Sequence, residues 1–217
     1  PNLDYADLDP KIVNRPQQPI LLVSTSAKRT LNAVDAATDA AVDKIQAAMK
    51  KLGVHQAGPR IRFTTNYGDQ NYAFDVAIPI DSDNLTIDGE SYALTVPQQA
   101  ADTDAATASS AAATQSVASA GTAPASASST GGKEAAPTGM RDDQGRLIVT
   151  ADVRGLLAFG GKALQGVWYG SPAGIPPTRL RLKAYAETHG YVFDDVNNHL
   201  YDEQVRAYES KFPNGED

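Results

Sequence analysis

The sequence predicts an α+β domain in which two β-α-β-β repeats form one antiparallel sheet, with two helices on one face of that sheet. Three observations lead to this prediction. An apolar run is followed by an amphipathic helix and a hairpin, a helix and a strand with similar spacing recur near the end of the chain, and a tract of small residues separates the two patterns.

The first repeat begins with the run ILLVSTSA at 20–27, which is apolar and β-branched and therefore predicts a strand. Apolar residues then recur at spacings of three and four over 31–52, which predicts a helix with one apolar face. Lys50 and Lys51 suit the end of this helix, and Gly53 ends it.

Two hairpins are predicted after this helix. In the segment 59–80, apolar and polar residues alternate on both sides of Gly68-Asp69, which predicts two strands joined by a turn. A weaker hairpin over 84–96 turns at Asp88-Gly89. The first half of the domain is therefore expected to cover residues 20–97 in the order strand, helix, strand, strand.

A second pattern is predicted over 145–217. The segment GRLIVTADVRG at 145–155 resumes strand character, and KALQGVWYGS at 162–171 is a further strand candidate. The segment IPPTRLRLKAYAETHG predicts a short helix, with prolines in its first turn and Gly190 at its end. Without gaps, 43–54 aligns with 180–191 in its apolar positions and its glycine, although any two amphipathic helices that end in glycine can align this well.

Residues 98–144 are predicted to form a disordered insertion between the two halves. Most of this tract consists of Ala, Ser, Thr and Gly without aromatic residues. Burial of such side chains does not offset about 1–2 kcal/mol of backbone entropy per ordered residue. Residues 1–19 are polar and include Pro10, Pro16 and Pro19, which predicts an N-terminal linker. Neither half alone buries enough apolar surface for stability, which favours one core built from both.

The composition and net charge limit the classes of partner that this chain is expected to bind. It has 217 residues, a net charge of −7 and no cysteine. An acidic surface repels nucleic-acid backbones, so we expect no nucleic-acid binding. No apolar run approaches the roughly 18 residues of a membrane span, so no membrane insertion is expected. No signal peptide is visible, and a start at Pro1 suggests a piece of something longer; the compartment stays open between cytoplasm and periplasm.

The segments GKALQGVWYGSPAGIPPTRLRLKAYAETHGY (161–191) and YDEQV (201–205) resemble the second repeat of the GyrI-like family, the bacterial gyrase-inhibitor-like small-molecule-binding domain. The segment RIRFTTNYGDQNYAFDVAIPID is similar to the hairpin of its first repeat. The resemblance implies two repeats related by a pseudo-two-fold axis, with a ligand groove on the sheet face away from the helices. The proline-rich start is similar to chains in which a START-like, polyketide-cyclase-like domain precedes a GyrI-like one.

The long insertion is unusual for this family, and the second repeat lacks a clear final strand. The candidate ligand-binding residues are aromatic and acidic side chains of the predicted strands, namely Trp168, Tyr201, Glu203, Tyr67, Tyr72 and Phe74. Tyr201 and Glu203 share a strand face, and the resemblance implies that Glu203 is the pocket carboxylate. An acid among aromatic rings favours an amphipathic, cationic guest, through contacts worth roughly 0.5–2 kcal/mol. The alternative is that the strand aromatics belong to the core and that Glu203 is a solvated edge charge.

Two further functions stay open beside small-molecule binding. The resemblance implies that some members hydrolyse strained or activated small molecules, for which Glu203 would be the general acid or base and His199 a neighbour on the same face. The groove could instead bind protein. An enzyme is the less favoured expectation, and no cofactor or metal site is expected, because the three histidines are scattered and cysteine is absent.

Overall fold

The computed structural model describes residues 5–97, 137–192 and 201–205. In this part of the chain the protein is an α+β structure with two α-helices and mostly antiparallel strands, which confirms the predicted fold class. The α-helices are α1 (Leu31–Leu52) and α2 (Ile175–Thr188), and two short 3-10 helices cover Ala6–Leu8 and Pro172–Gly174. The strands are β1 (Lys11–Arg15), β2 (Gln18–Lys28), β3 (Ile61–Tyr67), β4 (Asn71–Pro79), β5 (Asn84–Ile87), β6 (Glu90–Ala93), β7 (Leu147–Ile148), β8 (Val153–Ala158), β9 (Gly161–Gln165) and β10 (Tyr201–Glu203).

The main sheet has six strands in the order β10-β3-β4-β2-β8-β7. All its neighbouring strands are antiparallel. Within the sheet β2 pairs with β8, and Val23 lies opposite Val153. In the chain, β2 precedes residues 98–136 and β8 follows them. The same is true of the pair β3 and β10 at the edge of the sheet. The two halves of the chain therefore share one sheet.

Helix α1 packs on one face of this sheet. The Thr30 hydroxyl accepts a hydrogen bond from the backbone of Ala33 at the start of the helix, and Gly53 ends it with a φ of 68°. The side chains of α1 that face the sheet are buried, namely Val34, Thr38, Ala41, Ile45, Ala48 and Met49. They pack with the alternate residues of β2 and β4 and with Leu85 of β5 and Leu147 of β7. The periodicity of the sequence thus predicts both this helix and its buried face.

The strands β1 and β9 form a separate two-stranded ladder that continues the register of β2 and β8. Arg15 lies opposite Gly161 just as Gln18 lies opposite Ala158, so the pairing is interrupted only at residues 16–17 and 159–160. We call β1 and β9 the arm. At this interruption a Cβ on Gly160 would lie 2.7–2.9 Å from the backbone of residues 15–17. Only glycine allows the two chains to approach so closely.

The arm corrects the prediction that residues 1–19 form a linker. Strand β1 has a full ladder partner in β9, and Leu8 is completely buried. The prolines and polar residues of this segment do not give a strand pattern. Its pairing partner also lies about 150 residues further along the chain, so no local pattern reveals it. Pro16 falls at the interruption of the ladder, where a backbone N–H is not required for pairing.

The predicted insertion ends earlier than residue 144. The Arg141 side chain donates hydrogen bonds to the Ala93 carbonyl at 2.7 Å and to the Thr95 hydroxyl at 2.8 Å. The backbone N–H of Gly139 donates to the Ile148 carbonyl. Residues 137–144 therefore belong to the folded domain, and the remainder of the predicted insertion, 98–136, lies outside the described residues.

We expect cleavage within residues 98–136 to leave the two halves associated. The interior pair β2–β8 and the core below α1 both join the halves, so separation would expose an interior edge of the sheet and part of the core to water. A cleavage site inserted in this tract, followed by size-exclusion chromatography without denaturant, should show both fragments in one peak. Two separate peaks of folded fragments would contradict this expectation.

Candidate functional site

The face of the main sheet that points away from α1 carries a row of four side chains, and we call this the outer face. The register places Tyr201 opposite Phe63, Phe63 opposite Asp75, and Asp75 opposite Ser24, across β10, β3, β4 and β2. The next row on the same face begins with Glu203, opposite Ile61. The apolar side chains of this face form a second buried cluster, against which Phe63 and Tyr201 pack.

Tyr201 and Glu203 lie together, as their strand parity predicts. The Glu203 carboxylate forms an ion pair with the Arg15 guanidinium, which comes from the arm. The same guanidinium lies over the Tyr201 ring, 5.4 Å from its centroid. The Arg15 and Glu203 side chains are 23% and 25% exposed, so the pair is shielded from solvent but not sealed from it. The outer face thus already holds a planar cation between a carboxylate and an aromatic ring.

The Tyr201 ring is fixed from a second side by Phe63. The two rings pack edge to face with centroids 4.5 Å apart, a geometry that aromatic pairs favour. Burial raises the pKa of the Tyr201 hydroxyl to about 12, the Arg15 charge opposes this shift, and the Glu203 charge adds to it. Tyr201 is therefore neutral at physiological pH and offers an aromatic face and a hydroxyl, not a negative charge.

Asp75 is a site residue that we did not predict from the sequence. Its half-buried carboxylate accepts a hydrogen bond from the Ser24 side chain. Burial raises its pKa, against the effects of the Ser24 hydrogen bond and the more distant charge of Arg146. Among the described residues, no cation lies within ion-pair distance of this carboxylate. The sequence feature that could have identified Asp75 is its place in the middle of a predicted strand, where it alternates with aromatic residues of the core.

Tyr72 and Phe74 lie on the opposite face of the sheet from Tyr201 and Glu203. Phe74 is 0% exposed and Tyr72 is 8% exposed, and both pack in the core below α1. Their rings stack with centroids 4.6 Å apart. The structure therefore assigns these two residues to the core, and they do not line one surface with Glu203. Of Tyr67 the structure describes only the backbone, at the end of β3.

Trp168 does not lie in a strand. Strand β9 ends at Gln165, and Trp168 belongs to the turn that leads to the 3-10 helix Pro172–Gly174. Its indole N–H donates to the Ser171 carbonyl at 3.0 Å, its ring packs against Gly170 and Gly174, and 41% of the residue is exposed. All these contacts are local, and none of them joins Trp168 to the outer face.

Helix α2 is attached mainly by polar contacts. Arg179 forms an ion pair with Asp202 at 2.5 Å and donates a hydrogen bond to the Thr64 hydroxyl. Arg181 contacts Asp7 with both of its terminal nitrogens. Ala186 is the one fully buried residue of this helix. Asp202 and Thr64 lie on the same sheet face as α1, because the register places them opposite Arg62 and Phe74.

Few charged groups surround the Glu203 carboxylate in the part of the chain that the structure describes. In the described part of the chain its one ionic partner is Arg15, and no second acid or base contacts its carboxylate. His199, the suggested partner for hydrolysis, lies outside the described residues. No group of three metal-ligating side chains occurs within the described ranges. Neither described helix is both long and apolar enough to cross a membrane.

Comparison with protein families and with curated proteins identifies no relative of this chain. No protein-family model matches the chain, and no curated protein matches it significantly. The case for a function therefore rests on the residues of the outer face.

Proposed function

We propose that this domain binds a small amphipathic molecule with a planar cationic group on its outer face. The observation that carries the proposal is the position of Arg15, whose guanidinium pairs with Glu203 and lies over Tyr201. A guanidinium-like group of a guest would find the same two partners in the same geometry. This proposal agrees with the resemblance to GyrI-like binding domains.

The neighbouring side chains suit the rest of such a guest. Phe63 lies next to Tyr201 and offers a second aromatic surface. Asp75 supplies a second carboxylate on the far side of Phe63. Cation–π contact and charge pairing each favour a cation over a neutral molecule of the same shape.

Arg15 would compete with the guest for Glu203. The Arg15 side chain must move aside before a foreign cation can reach both Glu203 and Tyr201. The binding free energy of a guest is then the free energy of its contacts with Glu203 and Tyr201 minus that of the Arg15 contacts it replaces. The proposal therefore predicts opposite effects for the two members of the ion pair.

We expect Glu203→Gln to weaken the binding of benzylguanidinium by about 1–3 kcal/mol, the scale of one lost hydrogen bond to a charged group. Arg15→Gln should strengthen the binding of the same probe, because it removes the competitor and leaves Glu203 without a cation. Benzylurea has nearly the same shape without the charge, and neither substitution should change its affinity as much. Isothermal titration calorimetry of the wild type and both variants, each with both probes, measures these differences.

Asp202→Asn provides a matched control on the neighbouring residue. Asp202 also pairs with an arginine and is 20% exposed, but it lies on the other face of the sheet. Its substitution should cost similar stability and leave the affinity for benzylguanidinium nearly unchanged. Equal losses in the Glu203 and Asp202 variants would contradict the proposal, and so would weaker binding to Arg15→Gln.

A further inference from the structure

Two neighbouring arginines lie on the face of the sheet that carries α1, and the structure shows no carboxylate partner for them in the part of the chain that it describes. Arg60 precedes β3 and Arg62 lies within it, and both side chains are partly buried. Within the described residues, no acid lies within ion-pair distance of either guanidinium. In a protein of net charge −7, two adjacent cations without a counterion are unexpected. Partly buried charges are costly unless an opposite charge or several hydrogen bonds compensate them.

The hydrogen bonds of this pair are also incomplete. The Nε of Arg62 is buried and has no hydrogen-bond partner. The Arg62 guanidinium otherwise lies over the Phe74 ring, 5.6 Å from its centroid. Arg60 donates to the side-chain carbonyl oxygen of Gln204, which leaves the NH₂ group of that amide as a further donor. Within the described part of the chain, donors on three neighbouring side chains thus have no charged acceptor.

These side chains line a narrow cleft between α1, β3 and β10. Its walls are formed by Thr38, Arg60, Ile61, Arg62, Val76 and Gln204, and as these side chains stand they leave no room for a water molecule between them. The two guanidinium groups must separate to admit a guest. The cleft is therefore suited to one terminal group of a ligand and not to a bulky molecule.

The charges around the cleft favour an anion within it. Burial lowers the pKa of Arg60 first, and the neighbouring positive charge of Arg62 lowers it further. Asp39 and Asp35 of α1 oppose this shift from a distance. Asp202 lies opposite Arg62 in the ladder, but its carboxylate pairs with Arg179. Among residues 5–97, 137–192 and 201–205, no acid therefore neutralises the two arginines at close range.

We propose that this cleft binds a small oxyanion, such as a phosphate or carboxylate group, between Arg60 and Arg62. A planar guanidinium group can donate to two oxygens of an oxyanion at once, and the Gln204 amide adds a neutral donor. The site is distinct from the outer face, since Arg62 and Glu203 lie on opposite sides of the sheet. It does not depend on the cationic guest proposed there.

Titration with inorganic phosphate, at an ionic strength held constant with sodium chloride, tests this site. Phosphate should raise the melting temperature of the wild-type protein more than chloride does, because it binds the folded state. Arg62→Gln should weaken phosphate binding by about tenfold or more, since it removes a charged, hydrogen-bonding partner. Acetate at the same concentration distinguishes a carboxylate site from a phosphate site.

Arg29→Gln is the matched control, because Arg29 is an exposed arginine that donates to the carbonyl groups of Gly68 and Asp69. It should leave the effect of phosphate unchanged. In buffer without phosphate, Arg62→Gln should also raise the melting temperature, as it removes an uncompensated charge. Arg62→Lys keeps the charge and tests the site if the glutamine variant does not fold. Equal stabilisation by phosphate in the wild type and in the Arg62 variants would overturn the proposal, as would no stabilisation of the wild type beyond that by chloride.

Discussion

Replacement of Phe74 by alanine is expected to lower the free energy of unfolding by about 3–5 kcal/mol, as for other fully buried phenylalanines. Phe74 has no exposed surface, stacks on Tyr72 and lies in the cluster below α1. Its removal leaves a cavity that the rigid centre of the sheet cannot close. Urea denaturation followed by circular dichroism measures the loss as a lower transition midpoint.

Phe63→Ala is the control for this prediction, because Phe63 lies on the outer face of the neighbouring strand and is only partly buried. It should cost less stability than Phe74→Ala. If the outer face binds the guest, Phe63→Ala should also weaken binding of benzylguanidinium. A stable Phe74→Ala variant that had lost only ligand binding would show that Phe74 belongs to the binding site and not to the core.

Gly160→Ala is expected to cost about 3 kcal/mol, the upper end of the range for an inserted group that meets rigid neighbours. A Cβ at this position would lie 2.7 Å from the backbone N of Gln17 and 2.8 Å from the carbonyl oxygen of Arg15. Both contacts are with main-chain atoms, so no rotation of a side chain relieves them. Differential scanning calorimetry should show a lower melting temperature.

Gly68→Ala is a suitable comparison, since its added Cβ would meet one atom, the Asn71 carbonyl oxygen, at 3.1 Å. We expect a clearly smaller loss there. Because Gly160 sets the path of the arm beside Arg15, Gly160→Ala should also disturb the ion pair with Glu203. Unchanged stability in Gly160→Ala would mean that the arm does not require the close approach of its two chains.

The sequence was most informative where neighbouring residues determine the structure. The spacing of apolar residues predicted α1 and its buried face, and alternation predicted the hairpin β3–β4. Alternation also separates Phe74 from Asp75 on β4, and the larger number of apolar residues on the side of Phe74 indicates which side is core. The aromatic character of Tyr72 and Phe74 favoured a binding role in our prediction, whereas the structure shows that these rings fill the space below α1.

The sequence was least informative where distant segments meet. No local pattern links Arg15 to Glu203, which are separated by 188 positions. No local pattern predicts the pairing of β1 with β9 either, although this pairing makes a strand of the proline-containing segment and forms the arm. Trp168 was predicted in a strand because it follows an apolar run, but Gly166 and Gly170 surround it and the ladder ends before it. Long-range pairing depends on the whole fold, and single-sequence patterns carry little information about it.

The pairing of β2 with β8 also has a consequence for synthesis on the ribosome. Val23 is synthesised 130 residues before Val153, the residue opposite it in the ladder. At about 5–20 residues per second, this delay lasts roughly 7–26 s. During that time β2 can pair with β4 on one side, while its other edge stays open to unintended partners. The nascent chain therefore passes through a stage in which half a sheet exists without its neighbour, and molecular chaperones would act on it then.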